Sequence, residues 1–568
     1  MMRGANMMRV ERDRVGEGGV WRWGAVRPRE VVVCVALVGL FVGVRVWGLD
    51  GSCLWFDEVF SVHAARHGWA GLLEFVALDL IHPPLFYLLL KVWMAIVGGE
   101  GVWWLRLFPV LTQAAAVVPL VLLGRELRVG GGGVVRVALL LLALNGYLIQ
   151  HAQQLRMYSL LLLLATCSLW LFVRFSERAA AAATWAGRGD VVALFVVNLL
   201  LVYTHYFGWL VVSGEAIFVC VWRRGRLKSF AWMVFALVVC FSPWVWLVWR
   251  AWSAGEGLAQ NIGWAARPQP ADIFQPFLLL HEPFRFRRST YEPVVLRVNV
   301  WLAVAVFVPP FVALCRRAVR RRRVGAQGSA DESAVEVAGG DAGGRSALTF
   351  LLFFSLMPVV VAFVLARVLP QSIWGTRHLI IVAPVYLLLA SVALVSLRRP
   401  LWLAVTLKLL LACWLTLGAM LWLMRRDAPP VWCAWETLAQ RVVETDAGGA
   451  GGEVKVYATE DLVAYHLWYG MSLKGDRRFR VVAVKNVPGV VEDRAFFLPR
   501  GFDEVAATDA SAAMGEEQFW VAFRDTAWNA EHPLLRLLSE RGYEMGARFE
   551  VAASGQKAFI VSAKRRAP

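Results

Sequence analysis

The chain has 568 residues, 58% of them hydrophobic and only 18% charged. That balance excludes an ordinary soluble domain, because it comes from apolar runs about 20 residues long, the length that spans a bilayer core. The net charge of +17 would suit nucleic acid, but the basic excess lies in residues 1–426, in short loops between apolar runs. There the positive-inside bias accounts for it; from 427 onward acidic residues slightly outnumber basic ones.

Residues 1–30 form a basic tail, with Arg3, Arg9, Arg12, Arg14, Arg22, Arg27 and Arg29 ahead of the first apolar run. No small-residue cleavage site follows, so the first run is expected to be a signal anchor with a cytoplasmic N-terminus. Apolar runs then fall at 31–49, 105–124, 133–149, 157–174, 190–203, 206–222, 229–250, 295–315, 347–366, 378–397 and 400–424. These are eleven expected spans in a membrane domain covering 31–426. A shorter run, 84–97, contains Lys91. Counting it as a span would put Arg125, Arg223, Arg316–Arg317 and Arg398 outside, against the positive-inside bias. It is therefore expected to lie at the outer interface or to re-enter the membrane, within a first outward loop of 50–104. Arg425-Arg426 is the one pair that eleven spans leave outside.

The inward loop 324–346 is rich in Gly, Ala and Ser and is expected to be disordered. The outward loop 251–294 carries Trp252, Glu256, Asn261, Trp264, His281, Glu282, Tyr291 and Glu292, and its length suggests a lid or a substrate contact. From 427 to 568 the apolar runs shorten. VKVYA, FRVVAV, AFFL, FWVAF and KAFIV read as strands and HPLLRLLSERG as a helix ending at Gly542, which predicts an extracytoplasmic α/β domain. The 28 Trp fit membrane interfaces. The eight Cys include no CxxC pair and read as small hydrophobes. Cys53 and Cys433 are the only pair that could face outward together; a bridge between them is possible, but their spacing does not support one.

The first outward loop contains Asp57-Glu58 after Trp55-Phe56. Acidic residues there suit a helix N-terminus; they also suit a carboxylate that takes a proton or holds a cation. Neighbours on a helix point about 100° apart, so the two acids are expected to have different roles. Asp79 and His82 close the same loop before Pro83-Pro84. Arg156 and Tyr158 open the fourth span, His205 sits in the turn YTHYFGW, and Arg377-His378 opens the tenth. Each has a plain reading as an interfacial or turn residue. Together they gather ionisable groups at the outer ends of spans, which marks a functional site.

These pieces resemble the polyprenyl-phosphate-sugar-dependent glycosyltransferases of the GT-C fold, a superfamily that includes protein O-mannosyltransferases and the lipid A aminoarabinose transferase. The resemblance rests on Asp57-Glu58, the segment 79–85, WWLRLFPVL (103–111), QQLRMYSLLLLL (153–164), YTHYF (203–207) and GTRHLIIVAP (375–384). It implies a polytopic α-helical GT-C protein with a C-terminal α/β domain. It implies a polyprenyl phosphate sugar donor and an envelope lipid, polysaccharide or protein acceptor, at the outer face of the plasma membrane. Asp57 is then the general base of an inverting transfer, and Glu58 orients the acceptor or the base. Arg156, Arg377 and His82 hold the phosphate, with Asp79, Tyr158 and His205 as further substrate contacts. Relatives often read Gln-Glu-Ala-Arg where this chain has Gln153-Gln154-Leu155-Arg156, and Asp79 to His82 is one residue longer than an Asp-x-His spacing. Some GT-C enzymes use a divalent metal. The first loop has no Asp-x-Asp, so no obligatory metal is expected. A transporter or flippase, or a non-catalytic receptor built on the C-terminal domain, are the alternatives.

Overall fold

The computed structural model describes residues 28–129, 132–177, 185–253, 265–283, 293–327, 335–424, 429–446, 452–490, 496–512 and 514–566. Nearly all of the basic tail lies outside these residues, as do Arg425-Arg426 and, from the 251–294 loop, Glu256, Asn261, Trp264, Tyr291 and Glu292.

Among the described residues the membrane domain is helices joined by short connections. It comprises α1 (Pro28–Val46), α2 (Phe56–Arg66), α3 (Trp69–Asp79), α4 (Leu85–Val97), α5 (Val102–Ala115), α6 (Val117–Glu126), α7 (Gly132–Leu144), α8 (Gly146–Ala152), α9 (Tyr158–Glu177), α10 (Trp185–Thr204), α11 (Gly208–Trp222) and α12 (Leu227–Ser253). It continues with α13 (Gln275–His281), α14 (Pro293–Gln327), α15 (Val335–Val368), a 3-10 turn (Thr376–Val382), α16 (Ala383–Ser396) and α17 (Leu401–Met424). All eleven apolar runs fall on these helices. Among the described residues, seven helical segments are long and apolar enough to cross a membrane, and five shorter apolar helices accompany them. The chain is a polytopic helical membrane protein.

Residues 85–97 form a helix of 13 residues. At 1.5 Å per residue it reaches about 20 Å, short of a bilayer core of about 30 Å. Lys91 donates to the carbonyls of Ala65 (3.2 Å) and His67 (2.6 Å), capping the end of α2. The 324–346 segment differs from expectation: 324–327 and 335–346 carry helical backbone, while 328–334 lie outside the described residues. Inside the bundle Ser168, Asn198 and Glu215 meet on α9, α10 and α11, with contacts of 2.6–2.8 Å. Three polar side chains in an apolar core satisfy one another.

Helix direction separates two ends of the bundle. α9 starts beside Asp57 and runs to Glu177, where Arg223 lies 3.8 Å from the Glu177 carboxylate and 3.4 Å from Ser346 Oγ. Arg174 pairs with Asp190 at 2.6 Å at that same far end.

The C-terminal domain adds α18 (Val431–Thr445), β1 (Val454–Ala458), α19 (Asp461–Lys474), β2 (Phe479–Lys485), β3 (Ala506–Asp509), β4 (Gln518–Asp525), α20 (Pro533–Glu540), β5 (Tyr543–Ala553) and β6 (Gln556–Arg565). The strand order is β3-β2-β1-β4-β6-β5, parallel from β3 to β4 and antiparallel beyond. Side chains alternate across the sheet. On β4, Trp520 and Ala522 join the core shared with α18 and α19, whereas Phe519, Val521 and Phe523 pack with Leu534 and Leu538 of α20. The α/β expectation holds. AFFL is a correction: its described part, 496–498, is irregular, because its side chains face the membrane domain rather than a sheet.

This domain docks on the first loop. Cys53 is disulfide-bonded to Cys433, with Cα atoms 5.3 Å apart. Phe56 meets Tyr465 (5.1 Å between centroids), and His63 packs against Trp468 and Phe502 (4.8 Å each). The docked face is therefore aromatic and buried.

Candidate functional site

α2 begins at Phe56, after an extended Trp55. Glu58 reaches back to accept the Trp55 N–H at 3.0 Å, closing the first turn as a residue three positions into a helix commonly does. The turn sends Asp57 and Glu58 in different directions. Glu58 is buried and is gripped by Arg106 of α5 through two bonds, 2.9 and 2.7 Å. It also accepts the Leu155 N–H at 2.7 Å. Arg106 in turn donates to the carbonyls of Leu49, Ser52 and Cys53 at 2.7–2.8 Å. One buried ion pair thus ties the loop before α2, the start of α2 and the bend after α8.

Asp57 instead enters a cavity of about 310 Å³. Its carboxylate is 3.7 Å from Arg377 Nη1 and 4.0 Å from Arg156 Nε. Arg156 sits on the bend between α8 and α9, almost wholly buried. Its Nη1 donates to the Asp57 carbonyl (3.1 Å) and to Ser61 Oγ (3.3 Å), and its Nη2 to His82 Nε2 (3.2 Å). His82 must then carry its proton on Nδ1, which donates to Asp79 at 2.6 Å. Burial pulls the His82 pKa below its ordinary value, against the opposing pull of Asp79. The ring is neutral near pH 7.

Arg377 opens the 3-10 turn that precedes α16, where Tyr147 donates to the Thr376 carbonyl at 2.8 Å. Gly375 makes room for this turn: a Cβ there would lie 2.8 Å from the His378 ring. Asp57, Asp79, His82, Arg156 and Arg377 all line the one cavity. Glu58, Tyr158 and His205 stand behind it. Tyr158 places its ring 6.0 Å from the Arg377 guanidinium, and His205 lies 4.7 Å from the His378 ring and 5.9 Å from His82.

Other wall residues were not singled out from the sequence: Trp55, Ser372, Trp374 and the segment Phe496–Arg500; His378, named there beside Arg377, lines the cavity too. Arg106 carried a readable signal, as a charged residue inside an apolar run. The 496–500 segment had none, since only the tertiary fold brings it near Asp57.

Four buried atoms on this cavity, Trp55 Nε1, Arg156 Nε, Trp374 Nε1 and His378 Nδ1, have no hydrogen-bond partner among the described residues. Each such group costs about 1–3 kcal/mol. Their convergence on one concave site of mixed polar and aromatic character marks a place for a ligand. Among the described residues, no group of three His, Cys, Asp or Glu is arranged to hold a metal ion. An open groove between α2 and α4 holds Arg66 and Lys91, but Arg66 is paired with Glu100 at 2.6 Å and Lys91 caps α2.

No family model matches the chain, and no curated protein matches its sequence. Solved structures do match. ArnT from Cupriavidus metallidurans bound to undecaprenyl phosphate is 14% identical, with a TM-score of 0.55 over 93% of this chain and 97% of that one. The same protein in the apo state gives 14% and 0.55 over 94% and 98%. The arabinofuranosyltransferase AftD from Mycobacteria is 14% identical, with a TM-score of 0.49 over 95% of this chain and 40% of that one. The likeness to ArnT runs over nearly the full length of both chains. The chain has the GT-C fold, with its C-terminal α/β domain included.

Proposed function

We propose that the protein is a membrane glycosyltransferase that moves a sugar from a polyprenyl phosphate to an acceptor hydroxyl at the outer face of the plasma membrane. The observation that carries this reading is the arrangement around Asp57: two carboxylates, two guanidinia and a neutral histidine converge in a cavity at one end of a GT-C bundle. A solved relative of the same fold, ArnT, was captured with undecaprenyl phosphate.

Asp57 acts as general base. It takes the proton of the acceptor hydroxyl as the acceptor oxygen forms its bond to the anomeric carbon, with inversion. The bond from that carbon to the phosphate oxygen breaks, and its electron pair leaves with the polyprenyl phosphate. Negative charge grows on the phosphate during this step, so cations placed there favour the transition state over the ground state. Arg156 and Arg377 are suited to that task, and among the described residues no hydrogen-bond partner takes the Arg156 Nε proton. Asp79 orients His82, and His82 orients Arg156. Glu58 serves the base indirectly, by fixing the turn that aims Asp57. Tyr158 and His205 brace Arg377 and His378 from behind. The Cys53–Cys433 bridge supports an extracytoplasmic site, since such bonds persist in oxidising compartments. With the basic clusters at the other end of the bundle, this supports a cytoplasmic N-terminus.

The test is transfer from radiolabelled polyprenyl phosphate sugars, hexose and pentose, to an envelope extract by the purified protein in nanodiscs. Asp57→Asn is expected to lower turnover at least about 100-fold, the scale of general base catalysis. Undiminished transfer by a normally folded variant overturns the role of Asp57.

A further inference from the structure

The C-terminal domain contributes one wall of the cavity. In an open sheet with parallel strands, the place for a ligand is the crevice beyond the carboxyl ends of the strands, where connections leave in opposite directions. Here that place lies at the end of β1, between β2 and β4. Its charged groups are turned to another use. Glu460 pairs with Arg524 from the end of β4 at 2.6 Å. Asp461 accepts from Lys485, at the end of β2, at 2.6 Å and from the Leu498 N–H at 3.0 Å. The crevice holds a segment of its own chain.

That segment is stapled at both ends to the membrane domain. The Phe496 ring meets the Phe56 ring, next to Asp57 in sequence, at 5.2 Å. Phe502 packs at 4.8 Å from His63 and 4.7 Å from Trp468. Gly501 has φ +68°, and a Cβ there would lie 2.6 Å from Leu78 Cδ1 of α3. Glycine therefore permits both the turn and the close approach. Between the staples, Phe497 and Arg500 border the same cavity as Asp57, and Pro499 stiffens the run.

We propose that Phe497 and Arg500 form the acceptor-side wall of the site and select the acceptor; this rests on the glycosyl-transfer reading. A polyprenyl tail stays on the membrane side, whereas a wall supplied by the extramembrane domain borders the side from which a polar acceptor enters. An aromatic face and a planar guanidinium together suit an acceptor with a ring face and several hydrogen-bond acceptors. Asp461 is a positioning residue, acting through Leu498.

The experiment uses the full chain in nanodiscs, with Phe497→Ala, Arg500→Gln, Arg500→Lys and Asp461→Asn. Two quantities are read: equilibrium binding of radiolabelled undecaprenyl phosphate, and transfer from a labelled polyprenyl phosphate sugar as the envelope extract is titrated. Formation of the Cys53–Cys433 bridge on a non-reducing gel reports folding. The expected result is undecaprenyl phosphate affinity within about twofold of the parent, an apparent KM for the extract raised at least about tenfold by Phe497→Ala and Arg500→Gln, and partial rescue by Arg500→Lys. Two results overturn the proposal: loss of undecaprenyl phosphate affinity with an unchanged KM for the extract, and no change in either quantity. If the parent protein itself neither binds undecaprenyl phosphate nor transfers sugar, the glycosyl-transfer reading fails first. That outcome is distinct from any difference between variants, and it takes the acceptor wall down with it.

Discussion

Glu58 and Arg106 are expected to behave as one unit, and a double-mutant cycle measures this directly. In Arg106→Met, the Glu58 carboxylate remains buried with only the N–H groups of Trp55 and Leu155, and three carbonyls of the 49–53 loop lose their donor. Removing one partner of a buried ion pair costs about 3–5 kcal/mol. Glu58→Gln keeps the shape and leaves Arg106 its three carbonyls, so about 2–3 kcal/mol is expected. The double variant holds no buried charge at this place. Its cost is expected to match that of the larger single change, giving a coupling of about 2–3 kcal/mol. Reversible unfolding in mixed detergent micelles gives the four free energies. Single effects that add within about 0.5 kcal/mol would show that the two residues act separately, and the account of how Asp57 is aimed would fall.

Arg377→Gln is expected to weaken undecaprenyl phosphate binding at least about tenfold, the worth of a charge-assisted contact; unchanged affinity in the labelled-lipid assay excludes it from the phosphate site. Burial holds both His63 and His466 down at about 3, helped at His63 by His67 and Arg66. The unfolded chain takes up these protons near pH 6.5 and the folded one does not. Stability is therefore complete above about pH 6.5 and falls toward pH 3 by about 1.4 kcal/mol per pH unit per ring. His63→Gln should flatten that slope in thermal scans between pH 7 and 5, and an unaltered slope counts against it. Cys433→Ser is expected to cost about 2–4 kcal/mol and to expose Cys53 to maleimide; equal labelling of Cys53 in the parent protein without reductant contradicts the bridge. Transfer is expected to survive EDTA, since Asp57 faces two guanidinia and Asp79 faces His82; loss restored by added Mg²⁺ or Mn²⁺ contradicts this.

Much of the membrane domain was legible because hydrophobic length is a local property. The eleven apolar runs fall on helices, and the shortness of 84–97 follows from its own 13 residues. Five of the eight site residues share the cavity because the outer ends of adjacent spans lie close together. Less local facts stayed hidden. Nothing in Asp57-Glu58 says which acid turns inward; Arg106, 48 positions away, decides it. The sheet was underread at its edge, where β5 carries Glu544, Arg548 and Glu550 and lacks a continuous apolar run. Phe496-Phe497-Leu498 reads as a strand by composition, yet Asp461 and Phe56 hold it as a wall.

The Cys53–Cys433 bridge closes over a sequence separation of 380 residues and lies four positions before Asp57. It therefore sets an order of maturation. A chain still emerging from the ribosome already carries Asp57 and Cys53, but the partner cysteine, Cys433, follows α17. Locking of the turn that carries Asp57 therefore waits until the apolar helices before Cys433 have all been made. A copy that stops short of Cys433 lacks this tie, and with it the 496–500 wall of the Asp57 cavity.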